Sequence, residues 1–140
     1  MMIMSRPLGW YWLIAIALLA WNVIGLVALL FDPVIGLGDV SKLDPAQQAL
    51  YASRPAIAFF GFVLATVAGT AGAIALLLRR NVAMWLFIAS AVGLVMQNAW
   101  LFGDAANLTV NLLSVQALVA GSIALGIWLA ITARKRRWSR

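Results

Sequence analysis

The sequence predicts an all-α polytopic membrane protein, a bundle of four transmembrane helices with one short surface helix in the first outer loop. Three observations carry this. Of 140 residues, 65% are hydrophobic and only 10% charged, whereas about a quarter of a soluble domain is charged. Four segments free of Asp, Glu, Lys and Arg (Leu8–Phe31, Ala56–Leu78, Val82–Phe102 and Leu108–Ala133) are long enough to span, since about 20 apolar residues cross roughly 30 Å of hydrocarbon. The charges between them alternate in sign of excess from one connection to the next. The whole of 1–140 reads as a single membrane domain.

The first segment follows Arg6, as a secretory signal would. Its apolar stretch is much longer than the ~7–15 residues of a signal core, so it is read as a retained helix. The connection 32–55 starts with Pro33, Gly36 and Gly38, which favour irregular chain, and continues with Asp44, Pro45 and Gln47. An N-cap acceptor, a proline at the first helical position and an amide three residues on that reaches back to the cap predict a helix from Pro45 to about Ser53 on the outer surface. Asp32, Asp39 and Asp44 lack the regular oxygen spacing of a calcium loop and are expected to be solvated.

In the second segment Gly61, Ala65, Gly69 and Ala73 recur at intervals of four, with Ala68 and Gly72 beside them; Ser122, Gly126 and Ala130 repeat the interval in the fourth. Small residues at that spacing let helices approach closely in lipid, and internal packing or a partner face are the two readings. Only Arg79, Arg80 and Asn81 join the second and third segments, which makes these two a tight antiparallel hairpin. After the fourth comes the basic tail 134–140. Arg134, Lys135, Arg136 and Arg137 serve as a stop signal and as contacts for anionic lipid head groups, at ~1 kcal/mol per residue.

Orientation follows from the charges. Eight of the ten basic residues lie in the N-terminus, the second-to-third connection and the tail; Lys42 and Arg54 share the opposite side with all four acids, Asp32, Asp39, Asp44 and Asp104. The basic side is expected to be cytoplasmic, with both termini there. Trp10, Tyr11, Trp12, Trp85 and Trp128 near the inner ends and Trp100 near an outer end fit interfacial belts.

Polar residues inside the spans are the candidate site. Asn22, Gln97 and Asn98 fall about 21–24 Å above the inner surface at ~1.5 Å per residue. Gln116 of the descending fourth helix lies about 25 Å up on the same scale. These amides either bond to one another across the bundle, at ~0.6–2 kcal/mol each, or line a pocket for an uncharged ligand. Adjacent helical residues point about 100° apart, so Gln97 and Asn98 are not both expected to point inward.

Much chemistry is excluded. The chain has no cysteine and no histidine, which removes thiol and imidazole catalysis and the usual soft-metal ligands. Ser90, Thr66 and Thr70 have no base to activate them and are expected to bond to their own helix backbones. No catalytic, metal-binding or cofactor-binding residue is expected, and no cofactor. The net charge of +6 is distributed along membrane flanks rather than on one soluble face, which argues against nucleic acid. Coupled transport requires ionisable groups in the membrane, and the spans have none.

Trp21-Asn22 with Gly25, Ala49-Leu50-Tyr51 before Pro55, Gly69 and Gly72 before Leu76-Leu77-Leu78-Arg79-Arg80, and Leu86-Phe87 with Ser90, Gly93 and Gln97 resemble a family of small bacterial four-helix membrane proteins often labelled "sugar transporter". The resemblance covers about Trp10 to Gln97 and implies a location in the bacterial inner membrane and transport of a small solute. By exclusion, the residues themselves suggest a non-catalytic accessory or stabilising subunit of a larger membrane complex. Passive passage or binding of a small neutral solute is the alternative. The expected partners are membrane lipids and a membrane protein or further copies of the chain.

Overall fold

The computed structural model describes residues 5–32, 34–35, 40–102 and 110–140. They form α1 (Gly9–Leu30), a 3₁₀ turn (Val40–Lys42), α2 (Pro45–Ser53), α3 (Ala56–Leu77), α4 (Val82–Leu101) and α5 (Val110–Lys135). Four helices, α1, α3, α4 and α5, are long and apolar enough to cross a membrane, and there is no strand among the described residues. Each described boundary lies within two residues of the one the sequence predicts. The start of the fourth segment at Leu108, and Asp39 and Asp104, lie outside the described residues. Helix is the form that satisfies backbone polar groups within a single span, as an apolar medium requires.

Neighbouring spans follow the order α1, α3, α4, α5. The closest pair is α3 with α4, and glycine makes it so. A Cβ on Gly61 would lie 2.6 Å from the Gly93 carbonyl oxygen, and one on Gly93 would lie 2.5 Å from the Ala65 nitrogen. The small residues at intervals of four on α3 are buried, Gly61, Ala65, Gly69 and Ala73 together with Ala68 and Gly72, so this face packs internally. Phe87 fills the space left by Gly72 on α3 and Gly126 on α5.

One end of the bundle, here the basic end, gathers the N-terminal segment, the α3–α4 turn and the C-terminal tail. Helix α3 stops when Arg79 turns left-handed, with φ of 57°. The Arg80 N–H then bonds to Ala75 O at 2.8 Å and the Arg79 N–H to Leu76 O at 3.0 Å, which satisfies two terminal carbonyls. Helix α5 stops the same way: Arg137 has φ of 56°, Trp138 N–H bonds to Ala133 O and Arg137 N–H to Arg134 O. The tail therefore folds back. Its basic residues Arg134 to Arg137 are exposed while Trp138 and Ser139 are buried.

Long-range bonds then close this end. Arg79 donates from Nε to Trp138 O and from Nη2 to Ser5 O, both at 2.6 Å. Asn81 N–H donates to Arg140 O and Arg140 N–H to Arg79 O, and the Ser139 hydroxyl donates to Asn81 Oδ1. Trp138 packs edge-on against Trp10 and Tyr11, and Trp10 stacks on Trp128. Tyr11, expected in the interfacial belt, is fully buried instead, its hydroxyl donating to Leu76 O at 2.6 Å. Its ring has an apolar surround and its hydroxyl a partner, which is what a buried tyrosine needs.

The opposite end, the loop end, has the first connection. Asp44 caps α2 by accepting the Gln47 N–H at 2.8 Å. The expected reach of Gln47 back to the cap is not made; instead Gln48 Nε2 donates to Leu43 O, one residue before the cap. Asp32 corrects the expectation of a solvated loop acid. It is 2% exposed and accepts from both terminal nitrogens of the Arg54 guanidinium, Nη2 at 2.6 Å and Nη1 at 2.7 Å. The pair ties the end of α1 to the α2–α3 junction. Arg54 also lies over the Tyr51 and Phe59 rings. Burial by itself pushes the Asp32 carboxyl up, but the Arg54 hydrogen bonds, the Val34 N–H and the guanidinium charge outweigh it and hold the group below its ordinary value.

Candidate functional site

All four spans contribute to one cavity of about 260 Å³ in the half of the bundle nearer the loop end. From α1 come Trp21, Asn22 and Gly25, from α3 Ala65 and Thr66, from α4 Ser90 and Gln97, and from α5 Gln116, Val119, Ser122 and Ile123. Helical spacing puts them there. Ser90 and Gln97 are seven residues apart, and Gln116, Val119 and Ile123 follow i, i+3, i+7, so each set shares one helix face.

Asn22, Gln97 and Gln116 therefore meet around one space. Asn98 does not line it; its Oδ1 is buried without a hydrogen-bond partner. The amides do not bond to one another across the bundle. Asn22 Nδ2 donates within its own helix to Leu18 O at 2.8 Å, and its Oδ1 points at Gly69, where any Cβ would collide with it.

Hydroxyl donors in the wall are already committed. Thr66 donates to Phe62 O and Ser122 to Val119 O, each within its own helix. Ser90 departs from the expectation of bonding to its own helix: it crosses to Ala65 O of α3 at 2.6 Å and is buried. That bond joins α3 to α4 beside the cavity. Gln116 Oε1 is buried with no partner. A buried amide oxygen left so costs about 1–3 kcal/mol unless something donates to it. Among the described residues the wall carries amides and hydroxyls and no carboxylate, amine or guanidinium. Such a wall can hold an uncharged molecule by hydrogen bonding.

The amides were legible in the sequence; Thr66, Ser90, Ser122 and Trp21 as wall residues were not. The spacing of Ser90 to Gln97 was a usable signal for one of them. The basic residues Arg134, Lys135, Arg136 and Arg137 stand apart from the cavity, exposed at the basic end.

Fold and site together define a four-span helical membrane protein with an amide-lined intramembrane cavity. No protein-family model matches the chain, and no curated protein or solved structure matches it.

Proposed function

We propose that this is a non-catalytic protein of the bacterial inner membrane that binds a small uncharged ligand in the cavity and acts as a passive carrier or binding protein for it. The observation that carries this reading is a cavity of about 260 Å³ lined by the amide residues Asn22, Gln97 and Gln116, the last with an amide oxygen that no group of the protein satisfies. That space is far larger than the ~10–15 Å³ one water needs. The described wall residues carry no charge, which favours a neutral ligand, because an ion there would lose its hydration without a counter-charge. The family resemblance, with its transport label, points the same way. The basic end is proposed to face the cytoplasm, on the eight-to-two division of Lys and Arg, with Arg134 to Arg137 set against anionic head groups.

Isolation in mild detergent from native membranes, followed by mass spectrometry of what comes with the protein, tests the reading. A co-purifying small molecule that Gln116→Leu releases, with the melting temperature little changed, supports it. A stoichiometric larger membrane protein and no ligand would replace it with the accessory-subunit reading. If the amides serve structure alone, Asn22→Leu should lower thermal stability and alter no binding. For orientation, cysteine substituted at Lys42 should label from outside intact cells and cysteine at Lys135 should not; the reverse pattern would invert the bundle.

A further inference from the structure

We infer that the cavity is filled from the bilayer, through a gap between α1 and α5, and that its occupant is an amphiphile with an uncharged hydroxyl-bearing head and an aliphatic tail. This rests on the cavity being a ligand site, as proposed above, and adds how the ligand arrives and what class it belongs to.

Ile24 of α1 and Val115 of α5 both line the cavity, yet they are 63% and 49% exposed. Side chains that belong at once to the cavity wall and to the outer surface mark where the wall is open. Both lie within the long apolar helices, about 9 Å and 7.5 Å from the loop ends of their helices at ~1.5 Å per residue. The opening is therefore bordered by apolar side chains and faces hydrocarbon. Towards the basic end the same two helices are held together by the Trp10–Trp128 stack, ring centroids 5.8 Å apart, so the gap belongs to the loop-end half alone.

The chemistry of the wall narrows the occupant. The Ser90, Thr66 and Ser122 hydroxyls donate to backbone carbonyls, which leaves the Gln97 and Gln116 amides and the Trp21 indole as the groups of the wall that can bond to a head group. A hydroxyl both donates to and accepts from an amide and so matches it fully, whereas a ketone or ester only accepts. A phosphodiester head would be an uncompensated charge in this wall, which excludes the bulk phospholipids. The apolar rim at Ile24 and Val115 suits a tail that stays in the lipid while the head reaches inward.

The test uses the full chain in phosphatidylcholine nanodiscs and a brominated probe, 1-(dibromostearoyl)glycerol, whose bromines quench nearby tryptophan. Trp21 lines the cavity, and the difference from Trp21→Phe isolates its signal. Quenching of Trp21 that saturates with the acylglycerol, that brominated phosphatidylcholine does not reproduce and that free glycerol does not compete away, is the expected result. Gln116→Leu should weaken it about tenfold, the loss of one well-made hydrogen bond to a buried acceptor. The double variant Ile24→Phe with Val115→Phe, both at lipid-exposed positions, should slow its onset about tenfold or more. Competition by free glycerol, or an unchanged rate in the double variant, would overturn the lateral route while leaving the cavity reading intact. No saturable quenching, with no ligand recovered from native membranes, would remove both.

Discussion

The two ends of this bundle are built from the same four helices and are held in opposite ways. At the basic end, three chain segments far apart in sequence meet, and Arg79, Asn81 and Ser139 knit them with hydrogen bonds beneath a cluster of Trp10, Tyr11, Trp128 and Trp138. At the loop end, the glycines of α3 and α4 keep that pair in backbone contact, but α1 and α5 border a cavity. In lipid, apolar burial does not distinguish a closed helix pair from an open one, so polar bonds and close backbone packing decide it. Both are abundant at the basic end. Between α1 and α5 at the loop end, neither is recorded among the described residues.

The largest expected effect tests whether the loop end depends on its own lock. Asp32→Ala leaves the Arg54 guanidinium, 7% exposed, without its carboxylate, at a cost of about 3 kcal/mol. We expect that loss to fall on 40–55 and not on the spans, read as faster hydrogen exchange in α2 alone. Global unfolding would show that the pair supports the whole bundle. The pH dependence has a definite sign. Because the folded carboxyl lies below its ordinary 3.8, the stabilisation is complete above that value and is lost as pH falls from there through the folded value. Pepsin cleavage within 40–55 should rise only in that acid window.

Next in size is Arg79→Ala, which removes two charge-assisted bonds and retains a left-handed non-glycine residue; about 2–3 kcal/mol of stability should be lost at the basic end. Gly93→Ala should cost about 2 kcal/mol, because the added carbon meets backbone rather than a side chain that can move aside. A thermal melt reads both. If Gly93→Ala is neutral, α3 and α4 are not pinned as the distances require. The smallest effect separates the two left-handed arginines. Arg137 makes no side-chain hydrogen bond among the described residues, so Arg137→Gly relieves backbone strain and should stabilise by about 0.5–1 kcal/mol. Arg79→Gly relieves the same strain but loses the guanidinium, and should destabilise.

The spans were legible because a run without charge leaves few alternatives, and α2 because Asp44 and Pro45 act within one turn. What the sequence concealed depends on partners distant along the chain. Trp138 and Ser139 follow a polybasic run and look solvated, yet Arg79 reaches Trp138 across 59 residues and Ser5 across 74. Asp32 looks like any loop acid until Arg54 arrives from 22 residues on. Likewise, the depth of Asn22, Gln97 and Gln116 followed from helical rise, whereas the space they surround depends on the packing of four helices at once.

Helix α1 is a strut lashed at both of its ends to the same neighbour. Its 22 residues span about 33 Å; at the first turn the Tyr11 hydroxyl holds the last turn of α3 at Leu76 O, and just past the last turn Asp32 holds Arg54, immediately before α3 begins. Ile24 therefore rides on a helix whose distance from α3 is set at two points a membrane's thickness apart, and of the two helices that border the opening it is α1 whose place is fixed by polar bonds near both ends.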